Sequence, residues 1–326
     1  MKKVFCVLTV LIVLVSFTAS ARTEKKPIKL KAVQFLNLGN PGEKGYHLLI
    51  DMINKGAKGE LSIKIAGGPE AIPARQQPEA IRTGAVDMVW VPCSWYRSIL
   101  PEAAIMNLSR LLPWEERASG WHDYLVEKHK KVGIRFLGVA DVIGPFFMYA
   151  KEPIKSPAGL KGKRFRHSPT YVFFKDFGII PVTAGHSEIY TGLERNLFDG
   201  LAIKHMSFIR LNLQEVCKYV IGPGFWPRSS TVILMNEKKF QSLPKHLQDL
   251  IVDSQKKAER PMIEEIQREN IAKEWQLLKK HGVTHVKWSP EDTKFFLDKV
   301  DKVTLKARSK KIPAEELPKI MKMMGQ

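Results

Sequence analysis

Acidic side chains are in short supply in this sequence: 33 Asp and Glu face 52 Lys and Arg, a formal net charge of +19 at pH 7. Such an excess fits nucleic acid, an anionic membrane surface or small anionic ligands as partners. The basic residues are interspersed with acids, and neither an arginine-rich arm nor an aromatic RNA-binding signature occurs. A solvated basic surface is therefore the expectation, with no nucleic-acid partner. Cysteine is scarcer still: three occur, and Cys6 falls in the N-terminal apolar run, leaving Cys93 and Cys217. These stand 124 residues apart in no CxxC or metal-ligand spacing. Two buried free thiols are expected, although an oxidising compartment would permit one disulfide.

Long apolar runs are also missing, since nothing after residue 21 approaches the roughly 20 apolar residues a membrane-spanning helix needs. Before it, Lys2-Lys3, an apolar run from Val4 to Val15 and the small-residue exit Ala19-Ser20-Ala21 have the layout of a secretory signal peptide. No lipoprotein box accompanies the cleavage point near Ala21, so a soluble, periplasmic export product is expected. Losing Lys2 and Lys3 lowers the net charge from +19 to +17. The remaining chain of about 305 residues is long enough for two domains with cores of their own. Catalytic signatures are absent: no GxSxG, HExxH, CxxC, P-loop or GxGxxG occurs. His186 beside Ser187 does not make a nucleophile and base, because sequence neighbours rarely face one another, and Ser187 reads as a helix N-cap. No enzyme, cofactor or metal site is expected.

What is present alternates between strand and helix. Ile28–Leu36, Leu61–Ala66 and Val86–Val91 read as strands, and Tyr46–Ile53 and Gln77–Arg82 as helices, the second stopped at Gly84. That order implies an α/β unit with mostly parallel pairing. Glu70, Trp95 and Tyr96 fall just past strand ends, where open α/β sheets place their ligands. Further strands are predicted at Gly133–Val139, Gly144–Ala150, Cys217–Ile221 and Thr231–Met235, with an aromatic turn at Gly222–Pro227. Tyr171–Phe177 and Glu188–Leu197 read as helices. From Pro244 to Lys280 the pattern is helical, and Pro261 should kink or divide it. Helices from Ser289 to about Ala307 and from Pro313 to Met323 close the chain.

The stretch Gly159–Gly200 is the densest in signals. Lys161, Lys163, Arg164 and Arg166 crowd a turn built on Gly159 and Gly162. Alternation about Phe165 predicts a short strand that buries one face and turns Arg166 to the other. An arginine there can take a carboxylate through two parallel hydrogen bonds. Asp199 and Glu188 are expected to pair with Arg166 or Lys204 as structural salt bridges.

Leu160-Lys161-Gly162-Lys163-Arg164-Phe165-Arg166 resembles the LKGxKIR run of the substrate-binding proteins of tripartite ATP-independent periplasmic (TRAP) transporters. Phe177-Gly178-Ile179-Ile180-Pro181-Val182, Ser187–Glu194 and Phe198-Asp199-Gly200 are similar to the same family in order and spacing. Gly68–Pro73, Gln77–Ala80, Thr83–Met88, Leu100–Ala103 and Trp114–Arg117 resemble one branch of it. The resemblance implies an α/β, two-lobed periplasmic binding protein fold, with a ligand cleft between the lobes and a long helix spanning both. By analogy the signal peptide is 1–21, the N-terminal lobe 22–145 with about 230–262, and the C-terminal lobe 146–229 with about 263–326. It implies that Arg166 grips a substrate carboxylate, and that the partners are a small organic anion and a TRAP permease of small and large membrane subunits driven by an ion gradient.

Two departures from the family pattern shape the expected ligand. Phe146 stands where many members carry a second arginine, and Asp199-Gly200 continues as Leu201-Ala202-Ile203-Lys204 in place of glutamine-glutamate-asparagine. Both make the cleft more apolar. The expected ligand is a monocarboxylate with an apolar or aromatic body, stacked against some of Phe146, Trp95, Tyr96 and Trp226, with Lys204 as a second positive charge. The rival readings are a receptor presenting its ligand to a sensor kinase, a periplasmic enzyme acting on an anionic substrate, and a basic protein binding lipid or polyanion.

Overall fold

The computed structural model describes residues 26–140, 145–168, 171–226 and 230–326. The signal-peptide reading and Gly144 and Pro227 lie outside them. In chain order the strands are β1 (Ile28–Gln34), β2 (Leu61–Ile65), β3 (Met88–Pro92), β4 (Ile134–Val139), β5 (Phe146–Ala150), β6 (Arg164–His167), β7 (Ile180–Thr183), β8 (Gly200–Lys204), β9 (Tyr219–Trp226), β10 (Thr231–Asn236) and β11 (Thr284–Val286). The α-helices are α1 (Lys44–Gly56), α2 (Gln77–Thr83), α3 (Pro113–Ala118), α4 (Trp121–Lys130), α5 (Ile189–Glu194), α6 (His205–Arg210), α7 (Glu237–Gln241), α8 (Lys245–Arg260), α9 (Arg268–Lys280), α10 (Pro290–Arg308) and α11 (Leu317–Met323).

Two sheets define two lobes. The first has strand order β2-β1-β3-β10-β4, the second β11-β9-β5-β8-β6-β7. The chain passes to the second sheet between β4 and β5 and returns between β9 and β10. These passages produce the antiparallel members: β10 runs against β3 and β4, and β5 against β8 and β9. The remaining pairs are parallel. All five residues of β3 and all six of β10 are buried, as their unbroken apolar runs require of central strands covered on both faces.

The long helical stretch has three parts. α8 packs against α1 and β4 of the first lobe, and α9 against α6 of the second. Between them Pro261 opens a π-helical turn, Pro261–Gln267, where the missing proline amide leaves the regular ladder incomplete. Arg117 fixes α8 from α3, donating to both Glu259 oxygens at 2.9 and 2.6 Å with Glu259 almost fully buried.

Several sequence expectations shift. The aromatic turn expected at 222–227 is instead largely strand, because β9 runs on to Trp226 with an irregular register against β5. Tyr171–Phe177 forms only a 3-10 turn at Phe174–Phe177, since the side chains of Tyr171, Phe173 and Phe174 are all needed in the aromatic core. Ser187 lies inside a 3-10 turn. Its expected capping role falls to Glu188, whose carboxylate accepts from the Gly185 amide. Residues after α10, expected with the second lobe, pack on the first: Ser119 Oγ donates to Met323 O at 2.6 Å and Lys128 Nζ lies 2.7 Å from Glu316. Cys93 and Cys217 are both buried, and no disulfide joins them.

Candidate ligand cleft

β5, β6, β8 and β9 bring four of the sequence-predicted residues to one edge of the second sheet. Phe146 pairs with Lys204 on one side and with Trp226 on the other, and Arg166 stands beside them as the penultimate residue of β6. β6 and β8 run parallel, while β5 runs against β8. The C-terminal ends of β6 and β8 and the N-terminal end of β5 therefore meet at the same rim. Register also decides the faces. Phe165 pairs with Gly200 and Gly200 with Ala150, so Phe165, Ala202, Met148, Phe146 and Lys204 share a face, and Arg166 with Val182 and Leu201 takes the other. The aspartate-glycine motif makes this junction possible: a Cβ on Gly200 would lie 2.3 Å from Tyr149 O.

Arg166 is half-buried, and its Nε donates to Ala184 O at 3.2 Å just past β7. Its charge reaches Tyr171 and His167. The Tyr171 hydroxyl is pushed above its usual range by burial, an effect opposed by Arg166 and Arg308. His167 is pushed down by burial first and by Arg166 next. Tyr171 packs edge-on to Phe146 at 6.4 Å, which links the arginine to the aromatic rim. The Lys204 ammonium lies 5.5 Å from the Phe146 ring centre.

Trp226 is only 2% exposed. It backs Phe146 at 5.4 Å on one side and carries the Arg308 guanidinium at 4.6 Å on its face, so it supports the rim from below. Tyr96 is 1% exposed, and its hydroxyl is 2.9 Å from His129 Nε2. The expectation that Tyr96 contacts ligand is corrected, because the hydroxyl that would do so points into the first-lobe core. Glu70 is exposed, and its carboxylate turns back on its own loop, accepting from the Gly68 amide at 2.6 Å, which lowers its pKa. Trp95 is partly exposed, edge-on to Phe35 at 5.5 Å with the Arg75 guanidinium 4.4 Å over its ring. The expected salt bridges of Asp199 and Glu188 are also redrawn. Asp199 pairs at 2.7 Å with Arg164, the first residue of β6, two positions before Arg166.

Sequence reasoning missed Arg75, Tyr171 and Arg308. Arg75 and Arg308 look in sequence like any surface cation, and only the fold stacks them on Trp95 and Trp226. A cavity of about 400 Å³ opens at the opposite edge of the second sheet, lined by Lys151, Lys163 and Asp199 among others. Two of its cations are already engaged: Lys151 donates to Leu193 O at 3.0 Å, and Lys163 pairs with Glu152 at 3.3 Å. Among the described residues no group of His, Cys, Asp or Glu is placed to hold a metal ion, and no helix is long and apolar enough to cross a membrane.

Two α/β lobes joined by crossing strands, with a cationic and aromatic rim at the strand ends, define a two-lobed solute-binding protein. Residues 33–311 match the profile of the bacterial extracellular solute-binding proteins, family 7, and the chain belongs to that family, which serves TRAP transporters. A TRAP periplasmic solute-binding protein from Ochrobactrum anthropi superposes with a TM-score of 0.79 at 19% identity, over 92% of this chain and 95% of that one. One from Desulfovibrio salexigens, with bound orotic acid, gives a TM-score of 0.73 at 19% identity, over 91% and 97%. The 2,3-diketo-L-gulonate-binding periplasmic protein YiaO of Escherichia coli is 25% identical over 64% of this chain and 66% of its own length. The matches span about two thirds of the curated relatives. The protein is a transport binding protein and not an enzyme.

Proposed function

We propose that the protein is exported and captures an organic acid, a monocarboxylate with an apolar or aromatic body, in the periplasm and delivers it to a TRAP-type permease. The observation that carries this reading is that Arg166, Phe146 and Lys204 reach the same sheet rim, Arg166 from one face and the other two from the opposite one. Arg166 takes the carboxylate, because a planar guanidinium matches two oxygens and stays charged at any accessible pH. Phe146 and, across the cleft, Trp95 receive the apolar body, while Lys204 adds positive potential and Trp226 holds Phe146 in place. Closing the lobes strips water from the carboxylate, so the cleft must return equivalent hydrogen bonds. Binding then favours the closed form by as much as the ligand prefers it.

The related proteins named above bind acids, orotic acid and 2,3-diketo-L-gulonate, which supports the acid class. Phe146, where relatives of this type often carry a cation, supports the apolar body. Calorimetry of the ligand-stripped protein against a panel of organic acids tests the reading. Tight binding of aromatic or branched monocarboxylates is expected, and tight binding confined to polyhydroxylated acids would overturn it.

A further inference from the structure

Tyr171 holds the middle of the aromatic rim. Its amide donates to Ser168 O at 2.9 Å, which draws it back toward the end of β6. Its ring stacks on Phe174 at 5.6 Å and meets Phe146 at 6.4 Å, Trp226 at 5.7 Å and Phe225 at 5.9 Å. Contacts on so many sides leave the residue 5% exposed and hold the ring in one orientation. A phenylalanine would make every one of these ring contacts. Packing therefore does not account for the hydroxyl.

The hydroxyl is set in the field of two cations. Burial raises its pKa, and Arg166 and Arg308 oppose that rise, Arg166 from β6 and Arg308 from the face of Trp226. Burial prevails, so the group stays protonated and remains a donor at any accessible pH. A guanidinium offers donors only. The field of the two thus turns the oxygen lone pairs toward them and leaves the O–H for an acceptor in the cleft.

We propose that Tyr171 is a specificity-determining residue, donating to an oxygen on the carbon next to the ligand's carboxylate, so that 2-hydroxy and 2-oxo acids are selected over acids without that oxygen. The inference rests on the reading that Arg166 takes the carboxylate. The guanidinium fork then occupies both carboxylate oxygens. A donor beside the fork reaches the next atom along the ligand, while the apolar body continues to Phe146. An acid without the extra oxygen strips water from the hydroxyl and returns no acceptor. A site built to bond such an oxygen rejects the analogue lacking it more strongly than an apolar pocket rejects a missing methylene.

Calorimetry of the ligand-stripped protein with 3-phenyllactate and 3-phenylpropionate, which differ only in the 2-hydroxyl, tests this. The unmodified chain should bind 3-phenyllactate about tenfold or more tightly than 3-phenylpropionate. Tyr171→Phe should bind the two about equally, through lost affinity for 3-phenyllactate alone. That variant keeps the ring and its stacking, and an unchanged affinity for 3-phenylpropionate reports an intact cleft. Arg166→Gln should weaken both acids alike, because both carry the carboxylate. Equal binding of the two acids by the unmodified chain, or a preference that survives in Tyr171→Phe, would overturn the proposal and leave the carboxylate reading in place. Loss of both acids in Tyr171→Phe would make the residue structural and overturn it as well. An unmodified chain that binds neither acid would overturn this proposal together with the reading beneath it.

Discussion

Phe146 and Lys204 are cross-strand partners on β5 and β8, and the Lys204 ammonium sits 5.5 Å from the centre of the Phe146 ring. The pair places an apolar face and a positive charge side by side at the sheet rim. Phe146→Arg would set two cations opposite each other, a direct like-charge contact worth roughly 0.2–1 kcal/mol of destabilisation. Its affinity for aromatic monocarboxylates should drop at least about tenfold while that for dicarboxylates rises. Calorimetry against both classes checks this, and undiminished binding of aromatic acids by the variant would remove Phe146 from the contact set.

Arg166→Gln deletes the proposed carboxylate fork. Charge-assisted hydrogen bonds contribute ~1.5–3 kcal/mol each, so losing two should weaken ligand binding by roughly two to four powers of ten. Since the described structure holds this side chain through a single bond to Ala184 O, the melting temperature without ligand should change little. A variant that binds ligand as tightly as the parent would end the assignment.

Tyr96 and His129 offer a control. His129 Nδ1 lies 2.6 Å from Leu125 O, a pure acceptor, so Nδ1 carries the proton and Nε2 accepts from the Tyr96 hydroxyl. Tyr96→Phe leaves that buried nitrogen without a donor, at a cost of about 1–3 kcal/mol. Urea denaturation should show this loss while calorimetry shows unchanged ligand affinity.

Acid should destabilise the protein through three buried imidazoles. Burial is the first cause in each case, lowering His122 to about 3 and His129 and His205 to about 4 from an ordinary 6.5. Below pH 6.5 the unfolded chain takes up protons that the folded chain refuses, so stability falls as pH drops from about 6.5 to about 4, by on the order of 3 kcal/mol per ring. Glu274 works in the opposite sense, since burial raises its carboxyl to about 7 and favours the protonated folded form as pH falls. Asp301, whose carboxyl burial also raises, acts in the same sense as Glu274; with the three imidazoles outweighing these two carboxyls, the melting temperature should decrease from pH 7 to pH 4.5. In Glu274→Gln the decrease should be steeper. Scanning calorimetry across that range reads both, and a flat or rising profile would contradict the burial of these rings.

Gly138 lies where β4 meets α8. A Cβ there would approach Gln255 Nε2 to 2.6 Å and Glu259 Oε1 to 2.7 Å, and both groups are engaged, Gln255 with Val139 O and Glu259 with Arg117. Gly138→Ala should cost about 1–3 kcal/mol through this crowding. Denaturant titration measures it, and an unchanged midpoint would show that the helix yields freely.

The sequence by itself determined the alternation of strands and helices, the division at Pro261 and the glycine at 200, because each rests on local rules: side-chain period, a missing amide hydrogen, an absent Cβ. It also placed Arg166 and Phe146 on short strands, whereas no strand was expected from it at β8, which carries Lys204. Only the tertiary structure decided what those strands share. Cross-strand register set Phe146 beside Lys204 and put Arg166 on the other face, a relation between segments tens of residues apart. Packing turned Tyr96 inward and curled Glu70 onto its own loop, choices made by neighbours that the sequence order does not reveal. The stacking of Arg308 on Trp226 required the end of α10 to pass between the lobes, and no local pattern in the sequence encodes that path.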